Sequence, residues 1–78
     1  MTQDILIKIF AEQLKMSSDN LDEETSPDNT TQWDSLAAIS LVLAIEETFK
    51  IKLSTREVMK ARSIGLVRDM LKKKGIMV

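Results

Sequence analysis

The stretch Trp33-Asp34-Ser35-Leu36-Ala37-Ala38-Ile39-Ser40-Leu41-Val42-Leu43-Ala44-Ile45-Glu46-Glu47-Thr48-Phe49 decides the fold of this 78-residue chain. It holds no glycine and no proline, and its apolar residues recur at helical spacing. It reads as a helix over about 35–50 that opens at the serine. One stripe, Ala38, Leu41, Val42, Ile45 and Phe49, has the spacing of a core face. A second, Leu36, Ile39 and Leu43, lies on another face, with Ser40, Glu46 and Glu47 nearby. A helix apolar on most sides must be covered on most sides, so the second stripe predicts a docking surface or a cover for a loop. The serine at the start of the helix sits at the positive end of the helix dipole. Backbone N–H groups without intrahelical partners lie beside it, and that setting suits a phosphate ester.

The rest of the chain reads outward from this helix. Leu6, Ile9, Phe10 and Leu14 mark the buried stripe of a first helix over about 3–15, broadened by Ile5 and Ile7, with Asp4 in its first turn. A polar connection of about 19 residues follows, longer than most loops in small domains. Leu21 and Trp33 are its large apolar residues and the expected anchors to the core. Ser54-Thr55-Arg56-Glu57 has capping-box spacing and predicts a short third helix over about 55–61. Ser63 caps a fourth over about 64–74, with Ile64, Val67, Met70 and Leu71 inward. Lys72-Lys73-Lys74-Gly75 closes it, bases before glycine. The expected fold is all-α: a single domain over residues 1–78, a four-helix bundle with a long first loop and a short third helix.

Composition excludes several functions. Cysteine and histidine are absent, which removes disulfides, thiolate nucleophiles, cysteine-ligated zinc and the commonest general base. No Gly-x-Ser-x-Gly elbow surrounds Ser35, so a serine hydrolase is not expected. The acidic run Asp22-Glu23-Glu24 lacks the order of a calcium loop, and no metal site is expected. No apolar run approaches the roughly 20 residues of a membrane span. The start, Met1-Thr2-Gln3-Asp4, lacks a signal-peptide charge pattern, so a cytoplasmic protein is the expectation. The net charge of −1 hides a division. Residues 1–49 carry ten acids against two bases, and residues 50–78 nine bases against two acids. Such a split either steers charged partners or forms a solvated face with a basic tail.

Several short motifs in register resemble the acyl carrier protein family over nearly the whole chain. They are Glu12-Gln13-Leu14 closing the first helix, Asp34-Ser35-Leu36 opening the second, and Glu46-Glu47-x-Phe49 ending it. The apolar pair Ile51 and Leu53 and the Ser63-Ile64 start of the last helix also agree. The resemblance implies a carrier rather than an enzyme. Ser35 would receive covalent 4′-phosphopantetheine from coenzyme A through a phosphopantetheinyl transferase. Asp34 would belong to the transferase recognition motif, with Leu36 beside it. Leu36, Ile39, Ser40, Leu43, Glu46 and Glu47 would form the docking face. The cargo would be an acyl or aminoacyl thioester. Partners would be a loading enzyme and downstream synthases or transferases, with no nucleic acid, and a monomer is expected. The chain departs from fatty-acid carriers at Trp33, where glycine is common, at Ala37 and Ser40, often acidic there, and at Arg56 and Lys60 in a usually acidic helix. These departures resemble stand-alone carriers of specialised pathways such as polyketide or modified amino acid chemistry. The competing readings are an aminoacyl or peptidyl carrier and an unmodified helical interaction module in which Ser35 only caps the helix.

Overall fold

The computed structural model describes residues 4–78, which form four α-helices and no strand. They are α1 (Ile5–Leu14), α2 (Ser35–Phe49), α3 (Thr55–Lys60) and α4 (Ile64–Lys73), with one 3₁₀ turn at Ser18–Asn20. The expected all-helical architecture is present, with its long first connection and short third helix. The expected start of the first helix at residue 3 lies outside the described residues.

The helix starts follow capping chemistry. Asp4 is the N-cap of α1 rather than a first-turn residue, and its Oδ1 accepts the Leu6 and Ile7 N–H groups. The capping box of Ser54 and Glu57 forms as its spacing predicts, and the Ser63 hydroxyl accepts the Leu66 N–H. The helix ends share a different device. The N–H of Met16, Ile51 and Ile76 bonds to the carbonyl of Ala11, Glu46 and Leu71, five residues back in each case. The preceding residue is left-handed: Lys15 and Lys50 at φ 57°, Gly75 at φ 85°. These are Schellman motifs, and the apolar residue after each packs on the core. Two of the three place lysine where glycine is unstrained, a conformation that costs an L-residue about 1–2 kcal/mol.

Leu6, Ile9, Phe10 and Leu14 of α1, Leu41 and Ile45 of α2, and Ile64, Val67 and Leu71 of α4 form the core with Leu21 and Trp33. Phe10 and Trp33 meet edge to face with ring centroids 5.0 Å apart. Ile5, expected to broaden the α1 stripe, is exposed. Val42, Phe49 and Met70, expected to face inward, are only half-buried, and the short α3 buries no residue of its own.

The long connection is a chain of side-chain-closed turns. Thr25 Oγ1 accepts the Asp22 N–H at 2.9 Å, and Asn29 Oδ1 accepts the Ser26 N–H at 3.0 Å. The Glu23 and Thr25 carbonyls accept the Gly65 and Ile64 N–H groups at 2.9 and 3.0 Å, so the loop caps α4. A β-carbon at Gly65 would stand 3.0 Å from the Glu23 carbonyl oxygen, which is why the loop can approach so closely.

Part of the charge division is resolved inside the molecule. Arg68 of α4 donates to Asp4 and to Glu23, each at 2.7 Å, and Arg62 meets Asp28 at 3.2 Å. Each joins the acidic part of the chain to the basic part. The Glu23 hydrogen bond raises the Arg68 guanidinium above its ordinary range, against the effect of burial, with Asp4 adding to the rise. Partial burial pushes the Asp4 carboxyl up. The Arg68 hydrogen bond and the Ile7 and Leu6 amides outweigh it and hold the group below its ordinary value. Lys74 bonds Glu57 at 2.7 Å and ties α3 to α4. That bond, with the Ser54 amide, lowers the Glu57 carboxyl.

Candidate functional site

The start of α2 is fixed from two directions. Trp33 is buried against Phe10, and the Asp34 side chain accepts the Ala37 N–H at 2.9 Å. The Asp34 backbone is extended, and its carbonyl accepts the Ala38 N–H at 2.9 Å. Asp34 is therefore the N-cap, and Ser35 is the first helical residue. The serine is exposed, and its hydroxyl makes no hydrogen bond among the described residues. The backbone N–H groups of Ser35 and Leu36 likewise have no acceptor among the described residues, as expected for the first turn of a helix.

This donor set fits a phosphodiester on the Ser35 Oγ. The oxygen reaches solvent, free amides lie on the same turn, and the helix dipole favours negative charge there. The Oδ1 of the neighbouring Asp34 accepts the Ala37 amide.

The second apolar stripe of α2 is uncovered. Leu36, Ile39 and Leu43 are 76%, 58% and 59% exposed. Ser40 and Glu47 are exposed on the same helix. Glu46, the remaining member of the expected docking set, is also tied to the connection that follows the helix. It is half-buried, and its carboxylate accepts the Leu53 N–H at 2.8 Å, fastening the α2–α3 connection. Periodicity places Glu46 on a face but cannot show that a backbone amide seven residues later needs an acceptor.

Residues outside the expected set are also exposed after α2. Lys50, Ile51 and Lys52 share a shallow depression at the C-terminal end of α2 with Leu43, Glu46 and Glu47 of the expected set. On α3, Met59 is 71% exposed between the exposed bases Arg56 and Lys60. The 56, 59, 60 spacing is the signal that could have marked them as one face.

Comparison with known proteins bears on this geometry. The family described as the phosphopantetheine attachment site matches residues 4–71. The chain is also 34% identical over 71 residues to an acyl carrier protein of Syntrophus aciditrophicus (strain SB), covering 91% of this chain and 89% of that relative. A phosphopantetheine-bearing domain of this kind carries its prosthetic group covalently and works with phosphopantetheinyl transferases and biosynthetic enzymes. A helical bundle of this order, a family match across nearly its whole length and a curated relative covered almost end to end place the chain in the acyl carrier protein family.

Proposed function

We propose that Ser35 is the attachment point of the 4′-phosphopantetheine arm, and that the chain presents acyl or aminoacyl intermediates to enzymes of a specialised biosynthetic pathway. The exposed, unbonded hydroxyl on the first residue of α2 carries this reading. When bound, the group supplies a terminal thiol that holds cargo as a thioester, a function that this cysteine-free chain cannot supply itself.

The chain's own part is to hold and orient. Trp33 and Asp34 keep the first turn of α2 in place. The open amides of that turn favour the phosphate charge by about 0.3–1 kcal/mol. Asp34 is occupied as a cap and the chain has no histidine, so the proton on the Ser35 Oγ leaves to the transferase. The cargo stays tethered, and each partner meets it at raised effective concentration. Leu36, Ile39, Ser40, Leu43, Glu46 and Glu47 form the surface that partners touch. The uncharged Ala37 and Ser40 support a pathway other than housekeeping fatty-acid synthesis, because a basic partner patch finds no carboxylate at those positions.

The test is the intact mass after incubation with coenzyme A and a broad-specificity phosphopantetheinyl transferase. Wild type should gain one phosphopantetheine, and Ser35→Ala should gain none while keeping its helicity. A modified Ser35→Ala, or a folded wild type that stays unmodified by any of several such transferases, would refute the assignment.

A further inference from the structure

We infer that the enzymes which dock on this carrier do so through a surface that is apolar at its centre and acidic at its edge. The inference rests on reading Ser35 as the attachment point and the exposed α2 stripe as the docking face.

The fold leaves several charges unpaired. Four bases stand between the end of α2 and the end of α3: Lys50, Lys52, Arg56 and Lys60. All four are exposed, and none has a carboxylate within ion-pair distance among the described residues. Of the acids of the same stretch, Glu57 is paired with Lys74. Glu46, which accepts the Leu53 amide, and Glu47 keep their charge, two carboxylates against four unpaired bases among the described residues. The apolar centre consists of Leu36, Ile39 and Leu43, which are uninterrupted by charge on α2, with Lys50 and Lys52 beside Leu43 in one depression, and Met59 is a further exposed apolar side chain on α3. A partner lined with lysine and arginine would leave these bases facing like charge. One lined with aspartate and glutamate would pair them and gain in association rate.

The experiment uses the full chain and two phosphopantetheinyl transferases, chosen so that one has a basic carrier-binding surface and the other an acidic one. Mass spectrometry gives kcat/KM for each on wild type, Arg56→Glu/Lys60→Glu and Arg56→Gln/Lys60→Gln, after circular dichroism shows each variant folded. The acidic-surfaced enzyme should prefer wild type, and rising salt should reduce its advantage. The double glutamate variant should shift the ratio of the two enzymes by about tenfold or more towards the basic one. The glutamine variant, which is gentler on α3, should fall between. Modification that is equal for all three chains and insensitive to salt would overturn the charge assignment and leave the carrier reading standing. No modification of folded wild type by either enzyme would overturn both.

Discussion

Replacing Arg68 by methionine removes the one side chain that joins α4, the long connection and the cap of α1. Its side chain is only 12% exposed, and it makes four N–H to oxygen bonds: Nε and Nη2 to Glu23, Nη1 and Nη2 to Asp4. The two carboxylates are far more open, at 41% and 53% exposure, so water can replace the guanidinium on their side. Each pair is therefore closer to a surface ion pair of about 0.2–1 kcal/mol than to a buried one. Methionine retains most of the aliphatic packing. The expected loss is about 1–2 kcal/mol at neutral pH, which in a domain of this size lowers Tm by roughly 5–15 °C. The pH dependence has a definite sign. The folded Asp4 carboxyl is held below its ordinary value of 3.8, so its contribution is complete above that value and disappears as pH falls through the lower folded one. Urea denaturation of wild type and Arg68→Met between neutral pH and pH about 2 measures both effects, and the gap between the two should narrow on the acid side. A variant as stable as wild type at neutral pH, or a gap that stays constant into acid, would refute the reasoning.

Phe10→Ala removes a fully buried ring that packs on Trp33 and should cost about 3–5 kcal/mol, a large part of what a chain this size has. Phe49→Ala, at a half-buried position, should cost about half as much, and chemical denaturation of the two side by side checks the order. Lys50→Gly relieves a left-handed residue and should stabilise by about 0.5 kcal/mol after the entropy of glycine is subtracted; a lower Tm would count against the Schellman reading. Gly65→Ala should destabilise although alanine is the better helix former by about 1 kcal/mol, since its β-carbon presses on the Glu23 carbonyl. Leu43→Arg should leave Tm unchanged and slow transfer by a partner enzyme several-fold, because the side chain lies on an uncovered face.

The parts of this fold legible in the sequence are those governed by neighbours within about a turn or two. The α1 stripe, the capping box at Ser54, the Ser63 cap and the two faces of α2 all follow from residues three or four apart. The anchoring of the long connection at Leu21 and Trp33 was legible because a polar stretch holds few large apolar residues. What spacing could not supply lies at long range. Arg68 meets Glu23 and Asp4 across 45 and 64 residues, and no periodicity links them. Nor does periodicity link the Leu53 amide to the Glu46 carboxylate that accepts it. The left-handed Lys15 and Lys50 give no local warning either, since lysine at a helix end reads equally well as a charge on the dipole. At the candidate site, the place of Ser35 at the start of α2 and the second apolar stripe were legible, whereas the exposure of Met59 on α3 was not read from its spacing.

The edge-to-face meeting of Trp33 with Phe10 carries a mechanical consequence. The serine stands two residues from a ring packed against the first helix, so the start of α2 is tied to the core as well as to the polar connection that precedes it. If the arm stands on Ser35 as proposed, its pivot is anchored to the core. The volume swept by the cargo would then be set by the length of the arm and the shape of the partner's entrance, and a partner with a deeper entrance would have to approach the pivot more closely.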